Sequence, residues 1–344
     1  MDITMVGLWV LWTFLYGYLI LGSIDFGSGF YWAYAAYRPL GKGLRALIAR
    51  FLNPVWEVTN VFLVFFFVGI VGFFPEVAYY YGSGLLVPLS ISIILLAIRG
   101  AFYAFFAYSG EEKRYLLGLH GLAGLFVPAS LTTVLIASEG GIILVEGDHV
   151  LFSGWTLFTS PFAWSVVALA LVSVLLIAAV FLSAYAQVAG NVEAEAVFRR
   201  YSLTLYPPAV IIALWVIWMM RREHRWHYEQ LLGVGWIFLI SLIMAAVAYG
   251  LMIRRSYTAS FVMLAIQYGL AFYAYGFAHL PYVLYPYLTI QKAFVNEAMA
   301  QALVIGFILG LVILVPSFMV LMRLFVFNRR YVQGVVSKMK GGES

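Results

Sequence analysis

The sequence predicts an all-α integral membrane protein that crosses the bilayer nine times. Of its 344 residues, 64% are hydrophobic and only 10% are charged. Apolar segments long enough to span a bilayer recur along the whole chain. The absence of cysteine excludes disulfides, thiolate metal sites, iron–sulfur clusters and cysteine nucleophiles. The net charge of +5 is typical of a membrane protein with basic cytoplasmic loops, so we expect membrane lipid and no nucleic acid as a partner.

Nine apolar runs, bounded by charges, prolines and glycine clusters, are interpreted as membrane helices. The N-terminus lacks the basic segment of a cleavable signal peptide, so the first run is predicted to be retained as helix 1. The run from Pro54 to Phe74 covers about 30 Å as a helix, which is one hydrocarbon thickness. The predicted spans lie near residues 5–35, 54–74, 83–108, 115–137, 162–188, 202–220, 230–252, 257–277 and 299–327.

Lysine and arginine predict the orientation, because basic loops remain on the cytoplasmic side. Alternate connections are basic, which places the N-terminus outside and the C-terminus in the cytoplasm. One connection disagrees: RREHRWHYEQ carries three arginines on the predicted outer side, but the other loops outweigh it. The basic connections contain Arg38, Lys42, Arg45 and Arg50; Lys113 and Arg114; Arg199 and Arg200; Arg254 and Arg255; and Arg329, Arg330, Lys338 and Lys340.

The chain is interpreted as a single polytopic domain, residues 1–344. Short connections favour antiparallel neighbouring helices, and therefore helical bundles. The longest polar interruption, from Ser138 to Pro161, separates helices 1–4 from the rest. It therefore predicts two bundles within one domain.

Three ionisable residues lie within apolar runs: Asp25 in helix 1, Glu57 in the first turn of helix 2 and Arg99 in helix 3. All three fall toward the predicted cytoplasmic ends of their helices. A charge left unpaired at the bilayer centre costs about 2.5–3.5 kcal/mol, so we expect these side chains to face protein and each other. Arg99 could simply pair with one carboxylate to fix helix packing, which is a structural alternative. The second carboxylate would then remain free to carry protons.

Small and polar residues surround these charges. Ser28 lies on the same face of helix 1 as Asp25, and Asn60 shares a face of helix 2 with Glu57. Serine and asparagine can hold water, whereas the glycines nearby are equally consistent with close helix packing. Asp25, Glu57, Arg99, Ser28 and Asn60 are therefore the predicted proton pathway.

The chain offers no convincing cofactor ligands of its own. A b-type haem requires axial side chains, usually histidines, that project into a bundle core. Of five histidines, only His120 lies inside a predicted helix, and a lone buried histidine is more often a packing residue than a ligand. His224 and His227 could hold a metal but lack a third ligand, so we predict neither a metal site nor a catalytic residue. No nucleotide-binding or zinc-hydrolase motif is present.

Two segments resemble subunit II of the cytochrome bd-type quinol oxidases, particularly the branch in low-GC Gram-positive bacteria. SIDFGSGF (23–30) is similar to the family's Gly-Phe-Asp-x-Gly-x-Gly motif, and NPVWEVTNVF (53–62) is similar to its Trp-Asp-Gly-Asn-x-Val-Trp stretch. Arg99 falls where the family carries a helix-3 arginine. Glu57 replaces the family's aspartate, Phe62 replaces a tryptophan, and one residue is inserted before Asn60.

The resemblance implies two four-helix bundles plus one peripheral helix. It also implies an obligate larger partner, subunit I, that binds two b-type haems and one d-type haem, oxidises quinol and reduces oxygen to water. A small third subunit is a further expectation. This chain would be a non-haem subunit in the bacterial cell membrane that supports the haem subunit and carries cytoplasmic protons toward the oxygen site.

A proton-coupled secondary transporter is the alternative, because transporters also place carboxylates and arginines within the membrane. The sequence shows neither paired interrupted helices nor an evident inverted repeat, which weighs against it. The identity of the quinone, and haem d against a third haem b in the partner, stay open at this level.

Overall fold

The computed structural model describes residues 3–38, 42–109, 113–147, 149–326 and 328–333, without the side chains of residues 42, 53–58, 107–109, 326, 329 and 330. Helices account for nearly all of these residues. They are α1 (Ile3–Tyr37), α2 (Lys42–Phe73), α3 (Pro75–Gly84), α4 (Leu86–Ser109), α5 (Arg114–Ser138), α6 (Gly154–Thr159), α7 (Pro161–Ala189), α8 (Val192–Glu223), α9 (Arg225–Gly233), α10 (Gly235–Ile253), α11 (Tyr257–His279), α12 (Ile290–Ala293), α13 (Glu297–Leu321) and α14 (Arg329–Val332). A π-helical turn, Met322–Val326, follows α13.

The long helices form two groups. In the first, α1 packs against α2 and α5, and α4 packs against α5; in the second, α7 packs against α8, and α10 against α11. The peripheral helix α13 lies against α1 and α2 and buries few side chains. Within the described chain, eight helices are long and apolar enough to cross a membrane, and the number is nine if Thr59–Phe73 of α2 and the bent α3 together form one span. The predicted all-α membrane fold is confirmed.

Two helices begin well before the apolar runs that predicted them. The first turns of α2 are amphipathic: Leu44, Leu47, Ile48 and Phe51 are buried at helical spacing, while arginines occupy other positions. In α8, Asn191 caps the first turn by accepting a hydrogen bond from the Ala194 N–H at 3.0 Å. A hydropathy window misses both extensions because they carry charge, although the backbone hydrogen bonds continue.

One side of the molecule carries the folded connections, and we call it the hairpin face. It holds the N-terminal end of α1, the short helices α3 and α9, and two β-hairpins. The strands β1 (Ile143–Glu146) and β2 (His149–Phe152) form one hairpin, and β3 (Tyr282–Leu284) and β4 (Leu288–Thr289) form the other. The chain bends by 115° between α2 and α3. The connections on the opposite face are short, which keeps neighbouring helices antiparallel.

The two groups of helices meet where α1 crosses α7. Gly27 makes this approach possible, because a Cβ atom at this position would lie only 2.6 Å from the Val174 carbonyl oxygen. Most of the apolar surface of α7 is buried, as expected for a helix that is hydrophobic all round. Gly27, the first residue of the GSG stretch (27–29), therefore allows the two bundles to pack together.

Replacing Gly27 with alanine should force α1 away from α7, because a backbone atom cannot rotate aside. We expect a loss of about 1–3 kcal/mol in stability, typical of overpacking. The melting temperature of the purified protein in detergent measures this loss. Gly250→Ala is the matched control, since nothing lies within 4 Å of a Cβ atom there. Equal melting temperatures for the two variants would contradict this account of the α1–α7 contact.

Candidate functional site

A buried ion pair joins α1 to α4 within the first bundle. The Arg99 Nη2 atom lies 2.9 Å from Asp25 Oδ2, and the two side chains are only 3% and 5% exposed. The structure thus brings together two of the three charges that the sequence places in the membrane. Because both charges lack solvent, their interaction is stronger than that of a surface pair, and either one alone would be costly.

Contacts from α1, from α4 and from one further helix, α5, hold this pair in place. The Tyr103 hydroxyl donates a hydrogen bond to Asp25 Oδ1 at 2.8 Å. Arg99 Nη2 also donates to the Asp25 carbonyl oxygen at 3.3 Å, and Nη1 donates to the carbonyl oxygen of His120 in α5 at 3.2 Å. The guanidinium carbon lies 4.9 Å from the centre of the Phe26 ring, within cation–π range. Arg99 therefore connects α1, α4 and α5.

The His120 imidazole lies beside the ion pair and is fully buried. Its ring centre is 4.4 Å from that of Phe102 and 4.8 Å from that of Tyr103. Neither ring nitrogen has a hydrogen-bond partner among the described residues. A Cβ atom on Gly29 would lie 2.7 Å from His120 Nε2 and 2.9 Å from Arg99 Nη1. The second glycine of the GSG stretch is therefore what allows imidazole and guanidinium to approach α1.

The remaining residues of the predicted proton pathway are Ser28, Asn60 and Glu57. Ser28 is fully buried on α1, and its hydroxyl makes no hydrogen bond within the described chain. Asn60 is half-buried on α2. The side chain of Glu57 lies outside the described residues. Its backbone position corrects the expectation that it occupies the first turn of helix 2, since α2 begins at Lys42 with the amphipathic segment that hydropathy missed.

The model of the family described as cytochrome bd terminal oxidase subunit II matches residues 3–325 of this chain. The chain belongs to this family. A Bacillus subtilis (strain 168) protein, provisionally assigned as a cytochrome bd menaquinol oxidase subunit II, is 32% identical over 339 residues, which cover 96% of this chain and 97% of that protein. A chain of the bd oxidase from Geobacillus thermodenitrificans is 51% identical, with a TM-score of 0.84 and coverage of 95% of this chain and 100% of that one.

Membership in the subunit II family decides between the two predicted functions. The chain is a subunit of a cytochrome bd quinol oxidase, a membrane-bound terminal oxidase complex, and not a secondary transporter. A subunit II implies a partner subunit I, and the complex contains haem. The resemblance seen in SIDFGSGF and NPVWEVTNVF therefore identified the family correctly.

The described residues of subunit II do not fit haem ligation at His120. Aromatic rings contact the imidazole, and the backbone of Gly29 approaches its Nε2 atom so closely that even a methyl group would clash. An axial ligand needs an open nitrogen that faces a porphyrin-sized slot. His120 is instead part of the packed polar cluster around Asp25 and Arg99.

Sequence reasoning did not connect Tyr103 or His120 with the ion pair, and in a second cluster it named His227 without its two neighbours. Tyr103 stands four residues after Arg99, a spacing that could have identified it, whereas only the fold brings His120 to the pair. On the hairpin face, Glu139, His227 and His279 meet from three separate elements. Burial alone would raise the pKa of Glu139, but hydrogen bonds from His227 and Tyr275, together with the neighbouring imidazoles, lower it below its usual value.

We expect Arg99→Gln to reduce assembly of the oxidase, because it leaves the Asp25 carboxylate buried without its counter-ion. Breaking one side of a buried pair typically costs about 3–5 kcal/mol. Adding Asp25→Asn to Arg99→Gln should restore much of this loss, since no net charge remains buried. The yield of haem-containing complex and its melting temperature measure both effects. A double variant no more stable than Arg99→Gln would show that charge balance is not what the pair provides.

Proposed function

We propose that subunit II supplies protons to the oxygen-reducing site of subunit I, through the membrane region that contains Asp25 and Glu57. The observation that carries this proposal is the buried cluster of Asp25, Arg99, Tyr103 and His120. Reduction of oxygen to water consumes protons, and a site enclosed in a membrane complex needs a polar route to receive them. The chain offers such a cluster in otherwise apolar helices.

The energetics of burial support a functional reason for the cluster. Replacing a buried ion pair by well-packed apolar residues is often neutral or stabilising by about 1–4 kcal/mol, so helix packing alone does not require one. Ionisable residues inside membrane segments typically belong to ion pathways and proton relays. The Tyr103 phenol contacts both the Asp25 carboxylate and the His120 imidazole. Groups that can exchange protons therefore lie next to one another over three side chains.

Each residue has a distinct part in the proposal. Asp25 and Glu57 bind and release protons, and Arg99 supplies the fixed positive charge that keeps the region close to neutral. The buried hydroxyl of Ser28 and the amide of Asn60 hold water, which carries protons between the titratable groups. The Ser28 hydroxyl has no hydrogen-bond partner among the described residues, and such a buried group is well suited to bind an ordered water.

The proposal also covers the arrangement of the complex. Subunit I holds two b-type haems and one d-type haem, and it oxidises the quinol; this chain supports that arrangement without ligating haem itself. The quinol is menaquinol, by extension from the Bacillus subtilis relative. The complex lies in the bacterial cell membrane with the hairpin face outside, because the basic connections lie on the opposite face. Protons then enter from the cytoplasm.

We expect the double variant Asp25→Asn/Arg99→Gln to assemble yet to turn over slowly, because it balances charge but lacks the Asp25 carboxylate. Arg99→Gln alone keeps that carboxylate. Oxygen consumption per haem should therefore be at least about tenfold lower in the double variant than in Arg99→Gln, since positioned proton transfer typically contributes far more than this. Normalising to haem removes the effect of poor assembly.

The structural alternative makes the opposite prediction. If Asp25 serves only as the counter-ion of Arg99, the assembled double variant should turn over as fast as Arg99→Gln. That result would remove Asp25 from the proton route.

A further inference from the structure

The hairpin face contains a second group of buried titratable side chains, separate from the Asp25 cluster. Glu139 follows the last residue of α5, His227 lies in α9, and His279 ends α11. Their relative exposures are 1%, 0% and 7%. Because α5 belongs to the first group of helices and α11 to the second, these residues meet where the ends of both bundles converge.

The three potential ligand atoms have the spacing of a metal coordination sphere. His227 Nδ1 lies 2.7 Å from Glu139 Oε1 and 3.4 Å from His279 Nδ1, and His279 Nδ1 lies 3.8 Å from Glu139 Oε1. A point about 2.0 Å from all three atoms exists, which matches the distances of zinc to imidazole nitrogen and carboxylate oxygen.

The hydrogen bonding of His227 requires a positive charge on or beside its imidazole. Its Nδ1 faces the Glu139 carboxylate, and its Nε2 lies 3.3 Å from the Tyr275 carbonyl oxygen. Both neighbours are acceptors, whereas a neutral imidazole carries only one N–H. A second proton on the imidazole resolves this conflict, and so does a metal ion on Nδ1, because Nε2–H then donates to the carbonyl. A backbone carbonyl in this position is the usual outer partner of a metal-bound histidine.

Two buried atoms of the group have no partner. Glu139 Oε2 and His279 Nε2 make no hydrogen bond among the described residues. A buried polar atom left unsatisfied is costly, and these two atoms, which are not among the three ligand atoms, are sites for ordered water beside the ion. The Tyr275 hydroxyl also donates to Glu139 Oε1 at 2.5 Å, which orients the carboxylate as outer partners of metal ligands do.

We propose that Glu139, His227 and His279 bind one divalent transition-metal ion of the zinc class. Two imidazoles and one carboxylate suit zinc, whereas magnesium and calcium prefer oxygen ligands alone. The ion ties the end of α5 to α9 and to the end of α11. Its role is therefore structural: it locks the two bundles together at the hairpin face, away from the Asp25 cluster.

Metal analysis of the purified oxidase tests the site. The complex is prepared without chelators or metal-affinity resin, incubated with zinc chloride, desalted and analysed for zinc against haem iron. We expect one equivalent of zinc per complex, reduced at least about tenfold in His227→Gln and in His279→Gln, because each loses one of three ligands. His149→Gln is the matched control. That histidine is exposed on β2, away from the three ligands, and the variant should retain zinc.

X-ray absorption at the zinc edge of the wild-type complex supplies a second test that does not depend on the variants folding. We expect a first shell of nitrogen and oxygen near 2.0–2.1 Å with the outer-shell signature of imidazole. Zinc no higher than the buffer blank would overturn the proposal. Equal zinc in wild type and in both histidine variants, or a shell without imidazole, would overturn it as well.

Discussion

An ion pair buried in a bilayer restricts everything that surrounds it, because separating its charges in a medium of low dielectric is expensive. Asp25 and Arg99 satisfy this restriction through contacts with three helices at once. The guanidinium reaches carbonyl oxygens on α1 and α5, and the carboxylate accepts the Tyr103 hydroxyl. Only glycine leaves enough room beside the pair, because a side chain at position 29 would displace the Arg99 guanidinium.

The short stretch of α1 around Asp25 therefore makes two separate packing contacts. Through Gly27 it approaches α7 and joins the two bundles, and through Gly29 it admits Arg99 and His120 from the other side. Helices in lipid gain little from the hydrophobic effect against each other, so close approach at small residues is a main source of their association. Packing and charge placement depend on the same few residues, which links stability of the fold to any role in proton transfer.

The sequence carried enough information for the fold class, the family and the expectation that Arg99 meets a carboxylate, because apolar length and the cost of a buried charge are local physical signals. That the carboxylate is Asp25 came from the structure. It could not reveal contacts that depend on the approach of distant elements. His120 looked like a lone packing residue until α5 was placed beside Arg99. Likewise, nothing in the sequence placed His227 beside Glu139 and His279, because the three residues come from separate elements. The charged starts of α2 and α8 were missed because hydropathy measures lipid compatibility, not helix length.

Proton uptake during a single turnover tests the central claim most directly. The fully reduced complex is mixed with oxygen, while haem oxidation and a pH-indicator dye are recorded together for wild type, Arg99→Gln, Asp25→Asn/Arg99→Gln and Glu57→Gln. If this chain carries the protons, the rate of proton uptake reported by the dye should be at least about tenfold lower than the rate of haem oxidation in the two variants that lack a carboxylate. In Arg99→Gln the two rates should stay close. Proton uptake that keeps pace with haem oxidation in all four proteins would contradict a proton route through Asp25 and Glu57.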